Sequence, residues 1–354
     1  MKILVVNKGY SDNLGDQAIL RSMNNILKDI VNEDELIFEE YTSSVKKKIP
    51  IYTDELNLYK SSRVKQFLRA LLPLRLIWLL KNFHRIRRAV NDQNLRLVII
   101  GGGQLVLSNT YFPVAAFMWV GLSKYYRKKV IFSNVGVGTT FSLLESWLYK
   151  YALMQSNGVA VRDEKSGKII NEKYGISPII TGDIVFCDAS IDIEDSDTST
   201  VYLGITERNV YNTYNKNVSQ YEYYSIWYDF LIANEVPLDN IVLFYTTQED
   251  FLESINFKNY LENLDIIVEI SQSNTLDSLE NELKLASLVV SGRMHALILS
   301  KNIERNILCF PISKKLIEFE RITKTNDDFN SYREFVKNST VEYLESYLGK
   351  NKKC

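Results

Sequence analysis

The stretch "SGRMHALILS", residues 291–300, places an arginine two positions before a histidine in a chain with only two histidines, His84 and His295. Arg293 is a permanent cation whose planar fork matches a carboxylate or a phosphate. His295 can move a proton near neutral pH. An apolar run precedes the pair and another follows it. The spacing therefore predicts a buried strand ending at Val290, a turn at Ser291–Gly292, and a helix whose first turn carries Arg293 to His295. A helix N-terminus adds amides and a partial positive charge. Together these parts suit proton transfer on a small, doubly anionic substrate. A capped helix with a structural histidine has the same signature, and the pair alone does not separate the two.

Other strand ends carry groups of the same kind. "NKGYSDNLGDQAIL" (7–20) sets Asn13, Gly15 and Asp16 at a turn into a helix, where Asp16 reads either as a cap or as part of an anion site. "IIGGGQLVLS" (99–108) follows a strand ending at Ile100. Its glycines, Gly102 and Gly103 among them, allow close backbone approach, and Gln104 follows. The spacing is not that of a dinucleotide fingerprint, and no acidic residue stands about 20 positions on. "VAVRDEKS" puts Arg162 just past a strand, to pair with a carboxylate or to bind an anion, with Asp163 and Ser166 as cap candidates. "TGDIVF" brings Asp183 to another strand end, and "GITERN" brings Glu207 and Arg208. In the aromatic stretch 210–230, Tyr211 or Tyr214 is expected to face a sugar, while Trp227 and Phe230 belong to a core.

These residues need a frame that gathers strand ends. Apolar β-rich runs at 2–7, 95–103, 128–138, 158–163 and 178–183 alternate with helical patterns such as 16–30 and 143–155. The rhythm restarts at 201–208, 240–247, 265–270, 286–293 and 306–312, after an acidic Ser/Thr-rich linker at 191–200. This predicts an α/β chain with two doubly wound Rossmann-like domains, 1–190 and 200–327, and a ligand cleft between them at the carboxyl ends of the strands. A helical tail, 328–354, is expected to pack back on the first domain.

Composition fits that frame. The chain has 354 residues, 46% apolar and 24% charged, which is ordinary for a soluble globular protein. A net charge of −1 gives no reason to expect nucleic acid as a partner. Cys187, Cys309 and Cys354 suggest neither a disulfide framework nor a zinc site, and no metal ligand cluster is visible. No run of about 18 apolar residues is present and the N-terminus does not read as a signal peptide, so a cytoplasmic location is expected. Residues 61–91 hold eight Arg or Lys and no acid, with apolar residues at helical spacing. Residues 63–88 then read either as a core-packed helix with a solvated basic face or as a peripheral contact with the inner face of the membrane.

In order, "NLGDQAI", "IIGGGQLVL", "SNVGVG", "VRDEKS", "TGDIVF", "GITER", "SGRMHALILS" and "PISKKLIEF" resemble the polysaccharide pyruvyltransferase family over residues 1 to about 320. The resemblance implies a GT-B-like fold. It implies transfer of a pyruvyl group from phosphoenolpyruvate to a sugar, as a ketal bridging two hydroxyls, with release of phosphate. Phosphoenolpyruvate is then a co-substrate and no cofactor is needed. The acceptor implied is a sugar of a surface polysaccharide or of its lipid-linked oligosaccharide precursor. The family's Arg–x–His maps onto Arg293 and His295, and its Arg–Asp–x–x–Ser onto Arg162, Asp163 and Ser166.

On this reading Arg162, Arg293, Gly292, Met294 and Lys315 bind the donor. His295 is a general acid, a general base or a phosphate ligand, and Asp16 or Asp183 accepts a hydroxyl proton. Asn13, Gly15, Gly102, Gly103, Gln104, Arg208 and Tyr211 face the acceptor. Two departures stand out. "SKNIERNILCFP" is longer-sided and more polar than the family's usual stretch after the histidine helix, and Lys314 and Lys315 stand where one lysine is usual. Two alternatives share the fold: a glycosyltransferase using a nucleotide sugar, and a glycan-binding relative without activity. Arg162, Arg293 and His295 argue against the latter.

Overall fold

The computed structural model describes residues 2–43, 74–188 and 199–349. The first sheet consists of β1 (Lys2–Asn7), β2 (Leu36–Glu40), β3 (Leu95–Val106), β4 (Lys129–Val137), β5 (Gly158–Val161) and β6 (Ile179–Ile180). All neighbours pair in parallel, in the order β2-β1-β3-β4-β5-β6. Its strands are apolar on both sides because both faces are covered. Ile3, Val5, Leu97 and Ile99 pack toward α1 (Leu14–Ile30). Leu4, Val6, Val98 and Ile100 pack toward α2 (Leu74–Val90), α3 (Phe112–Tyr125), α4 (Leu143–Gln155) and α5 (Glu164–Tyr174).

The second sheet holds β7 (Val201–Gly204), β8 (Ile241–Leu243), β9 (Val268–Ile270), β10 (Leu288–Ser291) and β11 (Asn306–Cys309). It too is all parallel, in the order β11-β10-β7-β8-β9. Its helices are α6 (Arg208–Tyr214), α7 (Gln220–Ala233), α8 (Gln248–Glu262), α9 (Leu276–Leu283), α10 (Met294–Asn302) and α11 (Lys314–Ile322). Trp227 is fully buried and stacks on Phe310 with ring centroids 3.8 Å apart. Each sheet reverses its winding at one point, between β1 and β3 and between β7 and β10, and such a switch leaves a crevice at the strand C-termini.

The last helix, α12 (Asn326–Leu348), lies on the first domain. Asn134, in the left-handed region at φ 54°, donates from Nδ2 to the Gly182 carbonyl at 3.0 Å and to Thr340 Oγ1 at 2.9 Å. Tyr343 donates its hydroxyl to the Phe132 carbonyl at 2.8 Å. Gly182 has φ +82°, and a Cβ there would meet Val336 at 2.3 Å, so the glycine sets how closely the helix approaches.

The structure changes several expectations. β3 runs through the glycines to Val106 instead of ending at Ile100. β2, "LIFEE", is a strand that the sequence reading missed; it is short and ends in two carboxylates, which hides its alternation. Asn13, not Asp16, caps α1, its side chain accepting from Gly15 N at 2.8 Å. Arg293 is the N-cap residue of α10, one position before the helix. The linker at 191–200 falls largely outside the described residues, as does 61–73 of the basic segment. Arg85, from that segment, does not belong to a solvated face. It donates to Glu39 Oε2 at 3.0 Å and to the Glu40 carbonyl at 2.7 Å. No described helix is long and apolar enough to cross a membrane.

Candidate active site

The two switch points face each other across a cleft of about 360 Å³. Each wall is built by a strand turning into a helix. On the first domain Asn13, Gly15 and Asp16 begin α1, Gly102 to Gln104 continue β3, and Arg162 follows β5. On the second domain Gly292 to His295 follow β10, and Ser313 and Lys315 begin α11. A backbone bond from Leu14 N to the Thr246 carbonyl, 2.9 Å long, ties the walls together.

His295 is where the walls meet. A Cβ on Gly15 would lie 2.5 Å from His295 Nδ1, so only glycine lets the imidazole stand against the start of α1. On the other side, His295 Nε2 lies 3.5 Å from Asp183 Oδ2, and this buried atom has no hydrogen-bond partner within reach among the described residues. The ring is thus aimed between two carboxyl-bearing elements with a proton site left over.

Asp183 is a fixed anion. It accepts from Arg162 Nη1 at 3.0 Å and from Val185 N at 3.2 Å. Burial alone would raise its affinity for a proton, but His295, Arg162 and the Val185 amide outweigh it and hold the carboxyl far below the usual carboxylate range. Such a group is a weak base. The structure therefore argues against Asp183 as acceptor of a hydroxyl proton and for a role as counter-charge to Arg162 and His295. Arg162 lies flat over Gly136, where a Cβ would approach Nε to 2.6 Å, and it is 7% exposed.

Asp16 has the opposite setting. Burial lifts its carboxyl above the ordinary range, only partly offset by the Ser11 hydroxyl, 2.9 Å from Oδ2, and by the charges of His295 and Lys8. A carboxyl so placed on the cleft wall can exchange protons closer to neutrality.

Arg293 departs from the expected free fork. Its Nε and Nη2 donate to the two oxygens of Asp250 at 2.9 and 2.5 Å. Asp250 is fully buried and also accepts from Glu207 N and Thr246 Oγ1, each at 2.9 Å. One edge of the guanidinium is committed to holding it in place. Nη1 has no protein hydrogen-bond partner among the described residues. Arg293 thus offers the cleft a positioned cation whose Nη1 end is still open to an anion.

Lys315 also lines the cleft. Burial, helped by the Arg162 cation, brings its pKa down to about 8. Met294 lines the cleft and packs on the core.

The structure does not bring Arg208 and Tyr211 to the cleft. Arg208 begins α6, with its amide bonded to Glu253 at 2.9 Å, and Tyr211 packs on Tyr223 and Phe310. Both sit beyond the turn that carries the chain away from β7; Tyr214, at the far end of α6, reaches the cleft. Lys8, Thr246, Ser313 and Asp250 escaped the sequence reading. Lys8 follows β1 directly and was a visible candidate as a strand-end cation. Asp250 reads only as a residue in a helix's first turn. Among the described residues no group of three His, Cys, Asp or Glu is placed to hold a metal.

A family model, polysaccharide pyruvyl transferase, matches residues 13–300. A comparison with curated proteins gave no match. Among solved structures the chain is similar to the UDP-GlcNAc 2-epimerase of Methanocaldococcus jannaschii, with TM-score 0.55 and 9% identity, covering 99% of this chain and 100% of that one. It is also similar to a glycosyltransferase from Rickettsia africae, with TM-score 0.51 and 9% identity over 99% of each chain. At such identities the likeness concerns the fold alone, and that fold is GT-B-like. The family match covers most of the chain, from the Asn13 cap through the Arg293–His295 helix. The chain belongs to the polysaccharide pyruvyl transferase family.

Proposed function

We propose that this member of the family transfers the pyruvyl group of phosphoenolpyruvate to a sugar of a polysaccharide or its lipid-linked precursor, closing a ketal and releasing phosphate. The observation that carries the reading is the set of cations around one histidine. Lys8, Arg162, Arg293 and Lys315 line a single cleft with His295, while the carboxylates that face it are few and partly engaged. A donor with a carboxylate and a phosphate matches that charge.

In the proposed sequence His295 donates a proton to the methylene carbon of the donor. The adjacent carbon becomes oxocarbenium-like and is attacked by one sugar hydroxyl, whose proton passes to Asp16. The carbon–oxygen bond to phosphate then breaks, phosphate leaving with the electron pair. The second hydroxyl closes the ring and gives up its proton. Of the two hydroxyl protons, one replaces that spent on the methyl group and the other leaves with phosphate, so the step balances without an oxidant or a metal. Asp183 holds Arg162 and supplies the counter-charge for the imidazolium. Asp250 holds Arg293.

Binding provides the first test. Phosphoenolpyruvate should raise the melting temperature, since a ligand that binds only the native state stabilises it by mass action. UDP or GDP sugars should not. A rise with a nucleotide sugar and none with phosphoenolpyruvate would favour the glycosyltransferase alternative.

A further inference from the structure

The three helices α2, α3 and α4 lie side by side over one face of the first sheet. The Arg85 guanidinium sits 5.4 Å above the Trp119 ring, joining α2 to α3. Phe117 contacts Trp147 and Tyr151 with centroids 5.9 and 4.8 Å apart, joining α3 to α4. Their inner sides are buried. Their outer sides are apolar where a soluble protein's surface is usually polar: Leu76, Leu80 and Phe83 on α2, and Leu143, Leu144, Trp147 and Met154 on α4 are all exposed. Leu143 is 93% exposed, Leu80 64% and Trp147 58%.

The charge on this layer has one sign. The single acidic residue in the three helices is Glu145, which is buried and bonded to Arg75 Nη2 at 2.5 Å and Ser108 Oγ at 2.9 Å. Lys81, Arg87, Arg88 and Lys150 are exposed. Apolar surface interleaved with cations alone is complementary to an anionic lipid surface, where aromatic and aliphatic side chains enter the interface and cations meet the headgroups.

The layer also adjoins the cleft. Leu107 and Phe112 line the cleft, and the loop between them is held by both outer helices. Arg75, at the start of α2, donates to the Thr110 carbonyl at 3.2 Å, and Glu145, in the first turn of α4, holds Ser108. The starts of α2 and α4, which carry Leu76, Leu143, Leu144 and Trp147, thus adjoin the loop that reaches the cleft.

We propose that the outer face of α2, α3 and α4 docks this enzyme on an anionic lipid bilayer with the cleft mouth beside the headgroups. The inference concerns where the enzyme sits and does not depend on the identity of the donor. It also relocates the basic contact expected from sequence: Arg85 is internal, and α4 contributes most of the apolar surface.

Trp147 supplies the readout. The other three of the chain's four tryptophans, Trp78, Trp119 and Trp227, are buried. The full chain should co-sediment with phosphatidylcholine vesicles containing roughly a quarter phosphatidylglycerol, and its emission should shift to the blue, with neither effect on pure phosphatidylcholine. Replacing Lys81, Arg88 and Lys150 together by Glu should weaken binding by about tenfold or more at low salt while leaving the melting temperature unchanged. Trp147→Phe should abolish the blue shift but not the sedimentation. The proposal is overturned by no sedimentation at low salt, by equal binding to neutral vesicles, or by a blue shift that grows with protein concentration without lipid, which would assign the face to a second copy of the chain. None of these measurements uses a substrate, so their failure leaves the proposed reaction standing.

Discussion

Asp16 and Asp183 flank the same imidazole from different elements, and their surroundings shift their proton affinities in opposite directions. Asp183 is enclosed by Arg162, the Val185 amide and His295, so its charge is favoured despite burial. Asp16 has a single side-chain hydrogen-bond partner among the described residues, the Ser11 hydroxyl, so burial dominates and its proton affinity is raised. Identity and proximity do not assign a carboxyl's role. The number of donors aimed at it does. In the proposed mechanism Asp183 positions cations and Asp16 takes and returns a proton.

Substitutions separate the two carboxyls. The largest effect is expected at the shared neighbour: His295→Gln should lower kcat by roughly 10²–10⁴, the usual range for a lost general acid, with phosphoenolpyruvate binding retained in a thermal-shift assay. Asp183→Asn comes next and should cost stability as well as rate. It leaves the buried Arg162 with only the longer, more exposed pair to Asp163, 3.5 Å from Nε, and breaking a buried pair costs up to about 3–5 kcal/mol. Urea unfolding measures that loss; an unchanged midpoint would mean that Arg162 finds another anion.

Asp16→Asn should instead leave the unfolding midpoint near that of the native chain and lower kcat by roughly 10²-fold or more. A variant that loses stability but not rate would exchange the two roles. The pH dependence sharpens the same point. The acid limb of kcat should lie above the ordinary carboxylate range, because the ionised base required is Asp16, whose proton affinity burial raises. It should vanish in Asp16→Asn and persist in a stable Asp183 variant.

The smallest effect concerns Lys315. Its charge is lost as pH rises through about 8, so the KM for phosphoenolpyruvate should rise there. Lys315→Arg, charged throughout, should flatten that limb and change little at neutral pH.

Much of the frame was legible. Runs such as "KILVVN" and "LRLVII" are apolar on both faces, which only a strand in a doubly covered parallel sheet requires, and β1 falls where its sequence places it. The cleft residues after β1, β3, β5 and β10 followed from the same rule, because a parallel sheet delivers its strand ends to one rim. The rule failed after β7. Three residues separate Gly204 from the start of α6, and that turn carries Arg208 and Tyr211 away from the rim. Nor could the sequence show what holds Arg293. Asp250 lies 43 positions earlier in a helix's first turn, and only the parallel sheet, which gathers the residues after β8 and β10 on one rim, brings it to the guanidinium. The opposite shifts of Asp16 and Asp183 were equally hidden, since they depend on burial and on charges brought from other segments, His295 for both and Arg162 for Asp183.

In the proposed reaction this cleft moves a pyruvyl group with His295 and Asp16 as its proton carriers. The most direct measurement incubates the chain with phosphoenolpyruvate and a panel of lipid-linked or synthetic sugars and reads the products by mass spectrometry. The expected product is heavier by one pyruvate ketal, with one phosphate released for each, and it forms roughly 10²-fold or more slowly with the His295→Gln and Asp16→Asn variants. Normal turnover by either variant, or a glycosyl product formed from a nucleotide sugar in place of the ketal, would contradict the proposed reaction.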